Sequence, residues 1–238
     1  MTLELYYWPG LQGRGEFVRL ALEEADADYV DVARQPDGMA AMNRLLDGDE
    51  TVRPPFAPPF LRDGELLVAQ TSAILLHLGG KLGLAPDDAQ GRLWTHQLQL
   101  TVADLVDEAH DTHHPIASSL YYDDQKEEAA RRAADFRDAR IPKFLGWFEK
   151  VLARNPAGPD HLVGDGATYA DLSLFQVVDG LSYAFPKAMK RILSAMPNVK
   201  ALHAAVAKRP RIQAYLASDR RQPFNAQGVF RHYPELDG

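Results

Sequence analysis

Three places in the chain combine residue types that could do chemistry. The first is Tyr6-Tyr7-Trp8, followed after a short loop by Gly13-Arg14-Gly15. A phenolic hydroxyl beside a helix N-terminus can stabilise an anion, because the free N–H groups and the positive dipole end act in the same direction. The second is Gln70-Thr71, where an apolar run gives way to a helical pattern. A helix start with a hydroxyl and a carboxamide suits a carboxylate. The third runs from Asp104 to His114 and holds Asp104, Asp107, Glu108, His110, Asp111, His113 and His114. Four of its carboxylates can share one helical face, which could suit a metal, but no His-Glu-x-x-His spacing is present and a solvated acidic face explains them as well.

These residues need elements to position them. Leu3 to Trp8 reads as a short buried strand, closed by Pro9-Gly10. A helix with Phe17, Leu20 and Ala21 on one face follows from Glu16 to Ala25, then a strand from Tyr29 to Ala33 and a helix from Met39 to Leu46. Asp63-Gly64 between two apolar runs predicts a β-hairpin with a type I′ turn, and a helix starts at Ser72. A strand pair joined through a helix is parallel and a hairpin is antiparallel, so the sheet should be mixed. Gly, Pro and Asp dominate the next stretch, which reads as a linker at 83–90. Everything beyond reads as helix: Arg92 to His110, Gln125 to Leu152 with Pro142 kinking or dividing it, a buried helix from Thr168, then Pro197 to Val206 and Pro210 to Leu216. Thr168 and Asp171 have the spacing of a capping box, a structural role. The tail from Arg220 shows no period.

Composition limits the chemistry. The chain has 238 residues, is 46% hydrophobic and carries a formal charge of −7, which argues against broad binding to nucleic acid or an anionic membrane. There is no cysteine, so disulfides, thiolate metal sites and a cysteine nucleophile are excluded. The first residues lack the basic and apolar regions of a signal peptide, and no apolar run reaches the ~20 residues that span a bilayer. The expectation is a soluble, cytoplasmic protein.

The segment from Tyr7 to Glu16, the run Gln70-Thr71-Ser72-Ala73-Ile74-Leu75, and Val163-Gly164-Asp165 with Thr168-Tyr169-Ala170-Asp171 together resemble the cytosolic glutathione transferases of the tyrosine type, with the mu, pi and sigma classes most similar. The resemblance implies an α+β fold, with a thioredoxin-like N-terminal domain at 1–82 and an all-α domain at 91–238. It implies transfer of the glutathione thiolate to an electrophilic small molecule, with glutathione as co-substrate and no metal or prosthetic group. Related expectations are a glutathione-dependent isomerase or peroxidase, or a non-catalytic ligand binder. By the same resemblance Tyr7 activates the thiol, with Tyr6 its rival. Gln70 and Thr71 hold the γ-glutamyl carboxylate, Arg14 lies close to the thiol, and Arg53 or Arg44 takes the glycyl carboxylate. Pro59 matches the cis-proline of the family. The residue before it usually offers an N–H to glutathione, but Pro58 has none; a cis Pro58 with Ala57 contributing is the alternative. Asp104 would reach glutathione on a partner subunit, implying a homodimer, and His113, Ile116 and Tyr121 would line the electrophile pocket.

Overall fold

The computed structural model describes residues 2–48 and 51–238. The N-terminal part is a four-stranded sheet between helices. Strand β1 (Leu3–Tyr6) pairs in parallel with β2 (Tyr29–Asp31) and antiparallel with β3 (Phe60–Asp63), and β3 pairs antiparallel with β4 (Leu66–Ala69), giving the order β2-β1-β3-β4. The mixed sheet follows from the connections: helix α1 (Gly15–Glu24) crosses between β1 and β2, whereas β3 and β4 share a tight turn.

Alternation along β1 sorts its side chains between two layers. Leu3 and Leu5 pack with Val18, Leu22, Ile74 and Leu78 from α1 and α3 (Thr71–Leu82). Tyr6 faces the other way, with Met42 and Leu45 of α2 (Gly38–Asp47) and with Phe60.

Two details depart from the sequence expectation. Strand β1 stops at Tyr6 rather than Trp8, because β2 ends opposite Leu5 and β3 begins opposite Tyr6. The hairpin turn sits on Gly64-Glu65, since Asp63 pairs with Leu66. Only Gly64, at φ +64°, needs positive φ. That is the pattern of a type II′ turn, not type I′. Asp63 is thereby held in the strand, where its carboxylate meets His77 Nε2 at 2.8 Å and Lys81 Nζ at 2.5 Å on α3. The Lys81 and His77 contacts hold it below the usual carboxylate range.

Gly83, at φ +69°, ends α3, and α4 (Ala89–Asp111) opens with the Asp88 carboxylate accepting from the Gly91 N–H at 2.8 Å. Next come α5 (Lys126–Asp135), α6 (Ile141–Arg154), α7 (Tyr169–Ala184), α8 (Pro186–Leu193), α9 (Pro197–Ala207) and α10 (Pro210–Leu216). The α5–α6 run divides just before Pro142, which stands in the first turn of α6. A five-residue π-helical stretch, Phe136–Arg140, absorbs its missing N–H. Helix α7 is buried nearly all round and forms the centre of the helical core.

Asp171, fully buried, accepts the Thr168 N–H at 2.7 Å, the Thr168 hydroxyl at 2.8 Å and the Leu162 N–H at 2.7 Å. Asp171 thus ties the loop before α7 to its first turn. Thr168→Ala is expected to cost about 1 kcal/mol, read as a lower denaturation midpoint at unchanged m; an unchanged midpoint would rule out the capping role.

Helix α8 has no counterpart among the elements expected from the sequence. Its first-turn N–H groups at Lys187 and Ala188 are taken by the Asp237 carboxylate, at 2.9 and 3.2 Å. The aperiodic tail is therefore structural: Val229, Phe230 and Leu236 are buried, and Phe230 lies where a side chain on Gly180 would be. No helix among the described residues is long and apolar enough to cross a membrane.

Candidate functional site

Beyond β1 the chain turns so that the Tyr7 ring packs beneath the start of α1. A Cβ on Gly13 would lie 2.0 Å from the Tyr7 hydroxyl oxygen, and one on Gly15 would lie 2.5 Å from its ring. Both positions must lack a side chain for the ring to fit. Gly13 also sits at φ +44°. The Tyr7 hydroxyl oxygen accepts the Arg14 backbone N–H at 2.9 Å. With that lone pair used, its O–H remains free to donate. Burial pushes the Tyr7 phenol up, so it stays protonated at neutral pH, a donor and not a base.

Tyr6 points to the opposite face. Its ring stacks on Phe60 with centroids 4.7 Å apart, and its hydroxyl donates to Glu4 at 2.7 Å. Burial, aided by the Glu4 bond, raises its pKa to about 12.

Arg14 links Tyr7 to a cleft. Its carbonyl accepts from the Thr71 hydroxyl at 3.5 Å, and its guanidinium pairs with Asp107 of α4. Both side chains of that pair are well exposed, so it contributes little and can exchange for another carboxylate. The cleft, about 130 Å³ in volume, lies between the N-termini of α1 and α3 and one face of α4. Gln70 and Thr71 line it. Gln70 adopts φ +70°, ψ 120°, a conformation that non-glycine residues avoid and that is held most often where function needs it.

Sequence reasoning missed the far wall. Gln99, Val102, Ala103, Val106 and Asp107 line the cleft from α4. Their spacing, i, i+3, i+4, i+7 and i+8, was the available signal. Gln99 is 1% exposed and its Oε1 finds no partner among the described residues. A buried acceptor left unmade costs about 1–3 kcal/mol, so a ligand N–H would be favoured there.

The other predicted residues spread out. The Pro58–Pro59 peptide bond is cis, so Pro59 and not Pro58 is the cis residue. Arg53 is exposed at the surface, with its N–H on the Thr51 hydroxyl at 3.2 Å. Arg44 lies near enough to Tyr6 to act on its phenol. Asp104 is on the outer side of α4, in a groove shared with Arg140, Lys143 and Trp147. His113, Ile116 and Tyr121 do not line the cleft. His113 is buried with its Nε2 2.8 Å from the Val229 carbonyl, while Ile116 is 58% and Tyr121 81% exposed. The acidic face of α4 is divided among ion pairs. Asp107 meets Arg14, and Glu108 is clamped by Arg140, at 2.6–3.0 Å, and by Arg132. Those bonds, Arg140 first, depress the Glu108 pKa.

Comparison with known proteins agrees with this fold. A family model described as the C-terminal domain of glutathione S-transferase matches residues 110–219. The chain is 28% identical over 230 residues to glutathione S-transferase P of Capra hircus, covering 94% of this chain and 97% of that one. It is 24% identical over 221 residues to a glutathione S-transferase of Plasmodium falciparum, covering 91% and 96%. The solved pi-class glutathione S-transferase of Onchocerca volvulus has the same fold, with a TM-score of 0.70 at 22% identity, over 91% of this chain and 92% of that one. The α+β sheet domain joined to an all-helical domain, the matched helical segment and relatives aligned along nearly the whole length make the chain similar to the glutathione S-transferases in both of its halves.

Proposed function

We propose that the protein transfers the thiolate of glutathione to an electrophilic small molecule, an activity of the detoxifying kind. The observation that carries this reading is the Tyr7 hydroxyl, held by the Arg14 N–H at the start of α1 and kept protonated by burial. A free thiol has a pKa near ~8.5 and is mostly neutral at pH 7. A donated hydrogen bond stabilises the thiolate and lowers that value. Tyr7 supplies it.

Gln70 and Thr71 take the γ-glutamyl carboxylate at the α3 N-terminus, and Arg14 turns from Asp107 toward the peptide. The Gln99 oxygen is suited to the γ-glutamyl ammonium. The backbone at Pro58–Pro59 receives the cysteinyl part, and Arg53 or Arg44 the glycyl carboxylate. Residues 1–82 thus carry most of glutathione, with Gln99 contributed by 91–238, which takes the electrophile. Val102, Ala103 and Val106 line the same cleft as Gln70 and Thr71 and offer the electrophile the apolar wall expected of His113, Ile116 and Tyr121. The reaction needs no metal or prosthetic group. The fold and composition suit the cytoplasm.

Conjugation of a model aryl halide, followed beside ketosteroid isomerisation and hydroperoxide reduction, tests the reading. Aryl-halide turnover is expected to dominate; isomerase or peroxidase activity alone, or no turnover, would overturn it. In the same assay Thr71→Ala should raise the glutathione KM several-fold with kcat nearly unchanged, because an anchoring contact binds ground and transition states alike. A collapse of kcat at saturating glutathione would contradict that role.

We also infer a homodimer. Phe56 is 93% exposed, and Leu93 and Leu100 are exposed on α4, the helix that carries Asp104. Large exposed apolar side chains are typical of interfaces. Sedimentation should give twice the 26.5 kDa chain mass; a monomer at micromolar concentration would rule it out.

A further inference from the structure

Where α4 ends, three imidazoles converge. His110, His113 and His114 each offer a ring nitrogen, and these atoms lie within 4.8 Å of one another. We propose that they form a binding site for a single divalent transition-metal ion such as Zn²⁺, separate from the cleft that takes glutathione.

The local backbone makes the arrangement rigid. The α4 C-terminal turn is closed by the Thr112 hydroxyl on the Ala109 carbonyl at 2.7 Å and by the His113 N–H on the His110 carbonyl at 3.2 Å. Pro115 follows directly, and the Gln125 side chain clasps the next loop through the Ile116 N–H at 2.9 Å and the Ala117 carbonyl at 3.2 Å. His110 lies in the last turn of α4, and the turn at Thr112-His113 brings His113 and His114 close to it.

The second layer has the form that metal-binding histidines require. His113 Nε2–H donates to the Val229 carbonyl at 2.8 Å, which fixes the tautomer and leaves Nδ1 as a lone pair. That Nδ1 faces His114 Nδ1 at only 2.5 Å, and the His110 ring stacks on His114 with centroids 4.8 Å apart. In a tetrahedral site with Zn–N bonds of about 2.0–2.1 Å the nitrogens stand about 3.4 Å apart. Modest ring rotations reach that spacing, with water as the fourth ligand.

Metal-ligating imidazoles must offer a lone pair, and His113 is buried while His110 and His114 are partly so. The groups facing the cluster oppose one another. Arg231 and, toward His110, Arg14 disfavour a cation, whereas the Asp111 carboxylate, 3.6 Å from His110 Nδ1, and the carbonyl end of α4 favour it. Arg231 is itself engaged with the Gly228 and Gln227 carbonyls. With three protein ligands and water as the fourth, the affinity is expected to fall below that of a closed four-ligand structural zinc site.

Chelator-treated full-length protein, titrated calorimetrically with ZnCl₂ in the absence of glutathione, should bind one ion per chain. His110→Gln/His114→Gln removes two partly exposed rings, leaves the buried His113 in place, and should weaken binding at least ~10-fold while the circular dichroism stays unchanged. Wild-type protein loaded with Co²⁺ should show the strong visible bands of a four-coordinate ion, a readout that does not depend on the variant folding. Equal Zn²⁺ affinity in wild type and double variant, or only the weak bands of six-coordinate Co²⁺, would overturn the proposal.

Discussion

Replacing Tyr7 by Phe is expected to leave the fold and glutathione affinity nearly unchanged and to take away most of the bound thiolate at neutral pH. The ring stays beneath Gly13 and Gly15; the donor is lost together with the acceptor for the Arg14 N–H. If the hydroxyl lowers the thiol pKa by about two units from ~8.5, the effect is worth about 2.7 kcal/mol. The ionised fraction at pH 7 should then fall roughly 25-fold in the variant, with the pH–rate profile displaced upward by the same two units. Ultraviolet titration of the bound thiolate reads this directly. Tyr6→Phe is the control: its hydroxyl is committed to Glu4 on the other face of the sheet, so its titration should match wild type. A normal titration in Tyr7→Phe with a displaced one in Tyr6→Phe would transfer the role. No displacement in either would leave the α1 N-terminus and Arg14 as the stabilisers.

The largest loss of stability is expected at Arg19. Its side chain is fully buried. Its guanidinium meets Asp31 at 2.7 Å, Glu16 at 3.3 Å and the Leu11 carbonyl at 3.1 Å, and lies 5.6 Å from the centre of the Tyr7 ring. Glu16 is held in turn by the Tyr215 hydroxyl at 2.8 Å and by Arg221 at 2.9 Å. Arg19→Met fills similar space but leaves two buried carboxylates short of a partner. Breaking a buried ion pair from one side costs about 3–5 kcal/mol. At this chain length that should lower Tm by about 10 °C or more. Scanning calorimetry checks it, and a change below ~2 °C would show that Tyr215 and Arg221 suffice for Glu16 and that Arg34, 3.9 Å from Asp31, suffices for Asp31.

Both predictions rest on features of unequal legibility. Period-two alternation in β1 puts Tyr6 and Tyr7 on opposite faces from residue order alone, and the apolar faces of α1, α3 and α4 follow from their spacing. The type of the hairpin turn did not, because pairing Asp63 with Leu66 is decided by its bonds to Lys81 and His77 on a different element. Helix α8 was missed for a similar reason. Its N-terminus is capped by Asp237 from the tail, just as the first N–H groups of α9 are taken by Glu149 of α6 at 2.9–3.0 Å. Local capping signals are absent where a distant carboxylate does the capping. The site shows the same divide. Gln70-Thr71 stands out in the sequence, but the strain at Gln70, the unpartnered oxygen of Gln99 and the meeting of Arg14 with Asp107 arise only when two segments are brought together.

Those long-range bonds also set an order of events during synthesis. The loop that carries Tyr7 into the site is braced by Gln12, whose amide donates to the Gln222 carbonyl at 2.5 Å and accepts from Gln176 at 2.8 Å. At roughly 5–20 residues per second, about 200 further residues take about 10–40 s to make. The sheet can form from the first residues to leave the ribosome, but the loop over it must wait for the tail. A nascent chain carrying a finished thioredoxin-like sheet would therefore still be without a properly braced thiol site, and competence to hold glutathione would arrive late and all at once.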